Sequence, residues 1–304
     1  MSETPDAVVD AEPTSSVPAR RVDVVVVGAG PAGTAAAIEL ARAGRQAVVV
    51  DKATFPRDKT CGDGLTTGAL RLLEHLGLDP ATVPSWQPVT DIHVGGPKGH
   101  TVTFPLPRED GQFAVVATRY ELDAALVDLA RSAGAEVVEG VTVVSVDDGD
   151  ESVVVGLDDG TSLEADQVVA ADGMWSPTRK LLGASEPGYL GEWHAFRQYF
   201  RNTGPAARDL WVWFEADLLP GYFWSFPLPG GGANVGFGVQ RGGKVATKEM
   251  RALWPELLAR PHIAAVLGPD AEPVVFVSHP YKCPEPGYRS RRWRRFLFLS
   301  LIHI

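Results

Sequence analysis

Cysteines, cationic residues and long apolar runs are all scarce in this sequence. Its two cysteines, Cys61 and Cys283, are too few for a disulfide framework, which indicates a reducing cytoplasm. No stretch approaches the roughly 18 apolar residues of a transmembrane helix. Lys and Arg number 28 against 38 Asp and Glu, and the formal net charge of −10 argues against a nucleic-acid partner, which needs a basic surface. The seven histidines show no metal-ligand spacing, so we expect no metal.

The rest of the composition is that of an ordinary folded chain. The 304 residues are 45% hydrophobic, and at about 150 residues per domain their number predicts two domains. Residues 1–20 are polar, contain Pro5, Pro13 and Pro18, and show no periodicity. We expect a disordered leader there.

A strand, a helix and a second strand are predicted directly after the leader. Val22 to Val27 is a nearly unbroken β-branched run, which is typical of a strand buried on both faces of a parallel sheet. An Ala-rich helical segment covers Ala32 to Ala43, and Gln46 to Val50 is a second apolar strand that ends at Asp51. This β-α-β unit of about 30 residues predicts a doubly wound sheet.

The turn between this first strand and helix carries the strongest motif in the chain. Residues 28–33 fit G-x-G-x-x-G, with Pro31 and Ala32 between the second and third glycines. Gly28 allows a tight turn, Gly30 lets the backbone approach a pyrophosphate, and Gly33 lets the helix pack close to the sheet. The helix N-terminus then presents free N–H groups to the phosphates.

The end of the second strand completes the dinucleotide pattern. Asp51 is placed to accept hydrogen bonds from the adenosine ribose, and Lys52 follows it. An acidic residue here disfavours a 2′-phosphate. The alternative is a Gly-rich turn that binds no ligand.

The remaining pattern divides the chain into two kinds of sheet. Helices are predicted over Thr66 to Leu76 and Glu121 to Ser132, and short strands over 141–146, 152–157, 161–163 and 167–171. From about Trp193 to Gln240 the strands become long and aromatic. The predicted fold class is α/β, a Rossmann-like domain with a parallel sheet and a β-meander. A second, antiparallel β-sheet domain (α+β) accompanies it.

Two segments are similar to motifs of the aromatic-hydroxylase-like flavoproteins. Residues 171–179 resemble the second conserved motif of that superfamily, whose Asp-Gly pair, here Asp172 and Gly173, touches bound FAD. Residues 118–123 resemble its Arg-x-x-Leu helix start, and the resemblance places Arg119 near the flavin dinucleotide. For Arg119 alone, a solvated residue that opens a helix is the alternative. The cofactor implied is FAD.

Two further segments resemble the geranylgeranyl reductase family. Residues 55–65 fit F-P-R-x-K-x-C-G-x-G-L, and residues 222–238 fit Y-x-W-x-F-P-x(7,8)-G-x-G. The resemblance implies reduction of isolated C=C bonds in polyprenyl chains of archaeal lipids, chlorophyll precursors or menaquinone. Within the family, the menaquinone reductases are the most similar.

The same resemblance suggests site residues around the flavin. Cys61, followed by Gly62, is expected beside the isoalloxazine ring, and our hypothesis is that Cys61 assists the flavin half-reaction or alkene protonation. Its alternative is a small buried residue of the flavin loop. Tyr222 and Trp224 lie at i and i+2, on one face of a strand, and are expected to face substrate. The alternative for these two is a core face of the second domain.

Partners and rival functions follow from the same motifs. The implied partner is a polyprenyl lipid, with NAD(P)H, a ferredoxin-like donor or another reduced protein as external reductant. The location is cytoplasmic, and peripheral attachment to the inner face of the membrane stays open. An FAD-dependent aromatic monooxygenase or halogenase on the same fold is the alternative enzyme, although residues 211–215 fail the Trp-x-Trp-x-Ile-Pro pattern of halogenases. A non-functional gene fragment is the other alternative.

The motifs also predict where the domains lie. We expect the FAD-binding domain over 21–85 and 115–185, continuing to 290–298, and the substrate domain over 86–114 and 186–289. The family's third motif, Gly-Asp, is expected after the final strand and is absent. Residues 299–304 instead match a translated sequencing adapter, so we expect an adapter-derived tail.

Overall fold

The computed structural model describes residues 18–109, 111–185, 188, 191–281 and 295–298. The predictions for most of the leader, for Cys283 and for the tail at 299–304 lie outside these ranges.

Helices and strands alternate in the first half of the chain, and strands dominate the second half. The helices are α1 (Pro31–Arg42), α2 (Thr67–Leu76), α3 (Arg119–Ser132), α4 (Pro177–Leu181), α5 (Met250–Leu258) and α6 (Pro261–Leu267). The strands are β1 (Arg20–Val27), β2 (Ala47–Asp51), β3 (Gly64–Thr66), β4 (Gln87–Pro88), β5 (Asp91–Gly95), β6 (Thr101–Pro105), β7 (Ala114–Val116), β8 (Glu136–Glu139), β9 (Val143–Asp148), β10 (Val153–Leu157), β11 (Ser162–Ala170), β12 (Trp193–Arg201), β13 (Leu210–Trp213), β14 (Tyr222–Leu228), β15 (Gly232–Gln240), β16 (Glu272–Tyr281) and β17 (Phe296–Phe298).

The first sheet has the predicted Rossmann-like form. Its order is β8-β2-β1-β11-β10-β9, with β17 beside β11. The pairs among β8, β2, β1, β11 and β17 are parallel, whereas β11, β10 and β9 form an antiparallel meander. Val24 and Val26 pack in the core beneath the helices, and Val25 and Val27 pack on the opposite face. Burial on both faces explains the continuous valine run.

One predicted break in this sheet is wrong. The strands expected at 161–163 and 167–171 are a single strand, β11, whose first half pairs with β10 and whose second half pairs with β17. Glu164 and Asp166 interrupt its apolar pattern because both carboxylates pair with Arg21 of the neighbouring strand. The polar residues therefore mark ion pairs across the sheet, not a turn.

The second sheet is the predicted antiparallel one, with a single parallel pair. Its order is β16-β12-β15-β14-β13-β5-β6, and β13 with β5 is the parallel pair. One face packs on α5 and α6 through Phe223, Phe237 and Trp254. Strands β3, β7 and β4 form a third, small sheet. None of the helices in the described part of the chain combines the length and apolar composition that crossing a membrane requires.

Candidate functional site

Two glycines of the 28–33 turn are required by close backbone contacts. Gly28 has φ +100°, and a Cβ there would lie 2.5 Å from the carbonyl oxygen of Ala171. A Cβ on Gly33 would lie 1.8 Å from the carbonyl oxygen of Gly28. No other residue fits these positions without moving the backbone, so the turn, helix α1 and the end of β11 are held in contact.

Gly30 instead faces open space bordered by cations. A Cβ there would find only Arg57 Nη2 at 3.7 Å and Arg119 Nη2 at 3.8 Å within reach. Burial, together with the charges of Arg57, Arg119 and Lys52, lowers the pKa of Lys59. Arg57 and Arg119 thus border the α1 N-terminus at Gly30, with Lys52 and Lys59 within electrostatic range, which suits a diphosphate.

Arg119 is a buried member of this cluster, which excludes the alternative of a solvated residue. It is 9% exposed, and its Nε and Nη2 donate to the two carboxylate oxygens of Asp123 at 2.5 and 2.7 Å. Arg57 Nη1 lies 3.0 Å from the same carboxylate. Burial opposes the charge on Arg119, yet Asp123 raises the pKa of Arg119 above its ordinary value, and Cys61 adds to the rise. Asp123 therefore orients both arginines toward Gly30.

Asp51 lies at the carboxyl end of β2, beside the turn, as predicted. Its Oδ2 accepts from the Ala29 N–H at 2.7 Å and its Oδ1 from the Ala53 N–H at 2.8 Å. Each oxygen keeps a second acceptor position, which a ribose hydroxyl can use. Asp51 and Lys52 line a cavity of about 80 Å³ together with Thr142 and Val143 of the meander.

Asp172 and Gly173 form a turn against Gly28. The Cα of Asp172 would be 2.9 Å from a Cβ on Gly28, and Gly173 has φ +81°. Asp172 Oδ2 accepts from the Thr178 N–H at 2.8 Å, which fixes the start of α4. The carboxylate thus orders the loop that borders the dinucleotide turn, and it lines the same cavity as Asp51.

The expected substrate residues meet at a second, aromatic cavity of about 280 Å³. Gly62, Tyr222 and Trp224 line it, and the Tyr222 and Trp224 ring centroids are 5.8 Å apart. Burial raises the pKa of Tyr222, and the proximity of Cys61 raises it further. Tyr222 and Trp224 therefore border this cavity, whereas Cys61, the residue before Gly62, lines a separate cavity of about 420 Å³ together with Arg119. Their roles in the reaction stay predictions.

Sequence reasoning missed three charged residues of the site. Arg57 and Lys59 belong to the motif at 55–65, which indicated the family but not a role for these two residues. Asp123 lies in a predicted helix and was not identified as a site residue. The i, i+4 spacing of Arg119 and Asp123 was the available signal. Within the described ranges, no three His, Cys, Asp or Glu residues come together as metal ligands.

Comparison with known proteins identifies the cofactor. Residues 21–223 match the family model described as FAD binding domain. A menaquinone reductase of Mycolicibacterium smegmatis is 39% identical over 238 residues, which cover 72% of this chain and 55% of the relative. Digeranylgeranylglycerophospholipid reductase 2 of Methanopyrus kandleri is 34% identical over 226 residues, which cover 72% and 54%. The chain spans about half the length of these curated relatives.

Solved structures share the fold at low identity. A geranylgeranyl bacteriochlorophyll reductase-like protein of Thermoplasma acidophilum matches with a TM-score of 0.77 and 21% identity, over 93% of this chain and 71% of that protein. Halogenase PltM in complex with phloroglucinol and FAD matches with a TM-score of 0.70 and 18% identity, over 91% and 63%. The fold is therefore shared by reductase-like proteins and halogenases.

The residues present fit FAD. The open side of Gly30, bordered by Arg57 and Arg119, suits the pyrophosphate, and the Asp51 carboxylate, which lines the small cavity beside the turn, suits the ribose hydroxyls. The aromatic cavity is lined by Gly62, which directly follows Cys61, the residue that the resemblance implies lies beside the flavin ring.

Proposed function

The chain belongs to the FAD-binding domain family, and on that premise we propose that it reduces isolated C=C bonds of a polyprenyl chain with electrons from FAD. The observation that carries the proposal is the aromatic cavity that Tyr222 and Trp224 line together with Gly62 of the loop 52–63, called here the cofactor loop. Cys61 precedes Gly62 in this loop and is close enough to Tyr222 to raise its pKa. An isolated alkene is a poor hydride acceptor, so its reduction requires a dry, closely fitted site.

Bound FAD, once reduced, supplies the hydride. The protein's own residues bind the cofactor, exclude water and provide a proton. Arg57 and Arg119, whose Nη2 atoms border Gly30, would hold the cofactor's diphosphate. Trp224, 6% exposed, and Phe226 form an apolar wall that keeps water from the alkene. Tyr222 carries its phenolic proton at Oη at neutral pH, as an ordinary phenol does, and its raised pKa strengthens that hold. Tyr222 and Cys61 are the candidate proton donors.

We further propose the side chain of menaquinone as the substrate. Two of the relatives are named for menaquinone and for a geranylgeranyl lipid, and both of these molecules carry polyprenyl chains. The 39% identity to the menaquinone reductase exceeds the 34% to the lipid reductase, which favours the quinone.

Incubation with FAD, dithionite and menaquinone tests the proposal, with mass spectrometry of the extracted lipid. Products heavier by pairs of hydrogen atoms are expected. Cys61→Ser should lower the rate by at least tenfold if the thiol takes part in proton transfer. Tyr222→Phe should do the same if the phenol donates. Tyr120→Phe, at a tyrosine that is 48% exposed, is the matched control and should leave the rate unchanged.

The rival enzyme class gives a different product in the same assay. Under oxygen with NAD(P)H, a hydroxylated or halogenated aromatic product with no change in the lipid would refute the reductase. Full activity of both Cys61→Ser and Tyr222→Phe would remove these two residues from the reaction and leave the substrate assignment standing.

A further inference from the structure

A buried chain of hydrogen bonds joins the cofactor loop to the aromatic cavity, and the proposed reaction leaves it unused. Trp224 Nε1 donates to Asn234 Oδ1 at 3.0 Å. Asn234 Nδ2 donates to Asp63 Oδ2 at 2.7 Å and to the Cys61 carbonyl oxygen at 3.0 Å. Tyr199 Oη donates to the same Asp63 oxygen at 2.6 Å. Asn234 is 0% exposed and Asp63 is 1% exposed.

The chemistry of these groups allows one orientation of the Asn234 amide. An indole N–H only donates, so the amide oxygen must face Trp224. Both amide hydrogens then point to acceptors, one at Asp63 and one at Cys61. Turning the amide over would lose all three bonds and leave buried polar groups unpaired, which is costly.

Asp63 is itself held on several sides. Its φ of +64° is a left-handed conformation that a residue other than glycine seldom adopts, and such strain persists only where the surroundings enforce it. Its carbonyl accepts from the Ala117 N–H at 2.9 Å. The charged groups that influence Asp63 are Arg197, which stacks on the Tyr199 ring at 4.1 Å, and Arg119. Tyr199 and Asn234 of the second sheet thus fix the Asp63 carboxylate, and Ala117 fixes its backbone.

We propose that Asn234 and Asp63 are positioning residues of the reductase site: Asn234 holds the Trp224 indole and the Cys61 backbone in one arrangement, and Asp63 fixes Asn234. This inference rests on the proposed function for its catalytic meaning. Its geometric content stands separately, because it predicts how Cys61 behaves even when no lipid is present.

Alkylation of Cys61 by iodoacetamide measures the positioning directly. In a Cys283→Ser background Cys61 is the remaining cysteine, and its reaction rate reports the exposure of the loop. Asn234→Leu removes all three bonds, and alkylation should become about tenfold faster. Asp63→Asn should have a smaller effect of the same sign. The double variant should react no faster than Asn234→Leu, because Asp63 acts through Asn234.

Two further variants separate positioning from general loss of structure. Ser225 is buried next to Trp224, and its Oγ has no hydrogen-bond partner in the described structure, so Ser225→Ala should leave alkylation and turnover unchanged. If Asn234→Leu fails to fold, Tyr199→Phe tests the same chain, because it keeps the ring beneath Arg197 and removes one donor to Asp63.

The outcomes decide between the two proposals. Alkylation of Asn234→Leu at the rate of Ser225→Ala, or multiplied effects in the double variant, would overturn the positioning role. In the lipid assay the positioning role predicts that Asn234→Leu lowers kcat at least tenfold while FAD fluorescence titration gives an unchanged Kd. The expected alkylation pattern in a protein that reduces no polyprenyl substrate would instead overturn the proposed function.

Discussion

Gly28 is one of the two glycines that the dinucleotide turn at 28–33 requires. Gly28→Ala combines φ +100° with a contact of 2.5 Å to backbone, and we expect a loss of about 1–3 kcal/mol in unfolding free energy from strain alone. FAD affinity should fall at least tenfold. Urea denaturation and flavin fluorescence titration measure the two effects.

Gly134 provides the matched control for this substitution. It has φ +102°, and a Cβ there would meet no atom within 4 Å. Gly134→Ala should therefore lower the urea midpoint through backbone strain and leave FAD affinity unchanged. Equal affinities in Gly28→Ala and wild type would show that the turn does not contact the cofactor.

Asp63 should give the stability of the protein a pH dependence. Burial raises its pKa from 3.8 to about 6, so the folded protein binds this proton more tightly than the unfolded chain. The stability contribution is complete below about pH 4 and is lost as pH rises through 6, a change of about 3 kcal/mol. Asp63→Asn lacks it. The unfolding free energy of Asp63→Asn relative to wild type should increase by about 3 kcal/mol from about pH 3 to pH 7, and a constant difference in urea titrations would contradict the assignment.

Residues of the site divide into those the sequence predicts and those it cannot. Gly28 and Asp51 were predictable because a turn and a strand end, both local features, determine their roles. Asn234 and Asp63 are 171 residues apart in the chain, and no local pattern indicates that they meet. The contact of Arg57 with Gly30 was equally unpredictable, because only the folded loop brings the two residues together.

Strand β15 shows how an element accommodates a large side chain on its neighbour. A Cβ on Gly236 would lie 2.3 Å from both the Phe196 carbonyl oxygen and the Trp224 ring. Gly236→Ala should therefore cost about 1–3 kcal/mol of unfolding free energy through overpacking and displace the Trp224 indole from the cavity. Urea denaturation and the lipid-reduction rate are the measurements.

Gly238, two residues after Gly236 in β15, provides a control for this substitution. A Cβ on Gly238 would make only ordinary contacts, the nearest at 3.7 Å, so Gly238→Ala should change the unfolding free energy by no more than about 0.5 kcal/mol. Similar losses in both variants would mean that glycine is needed for the strand backbone and not for the indole.

Elements were predictable where their pattern reflects burial alone. Helix α2 has an apolar stripe and begins next to the capping residue Thr66, and its predicted start was off by one residue. Strand β11 was divided in two because carboxylates that pair with Arg21 look like turn residues in one dimension. The difference lies in a neighbouring strand, which the local sequence does not contain.

At the scale of the whole molecule, the cofactor loop is bonded to both large sheets. In the first sheet, Glu139 Oε2 of β8 accepts from the Phe55 N–H at 3.3 Å. In the second sheet, Arg197 of β12 donates to Asp58 at 2.9 Å, and Asn234 of β15 donates to the Cys61 carbonyl oxygen. FAD bound to this loop should therefore slow amide hydrogen exchange in β12 and β15 as well as around Gly28. Exchange measured by mass spectrometry with and without FAD tests this. Protection limited to the first sheet would show that the two sheets respond independently, and ADP should protect only the region around Gly28 and Asp51.

Strands β5 and β6 belong to the second sheet although they precede α3 in the chain. His93 of β5 contacts Asp209 beside β13, 116 residues later. During synthesis, this hairpin leaves the ribosome long before its partner strand exists, with Val102 and Phe104 both more than half exposed even in the folded chain. Such long-range pairing slows folding and lengthens exposure to aggregation. Slow expression at low temperature should therefore raise the yield of folded protein. A cut between α4 and β12 would separate β5 and β6 from the second sheet and β17 from the first.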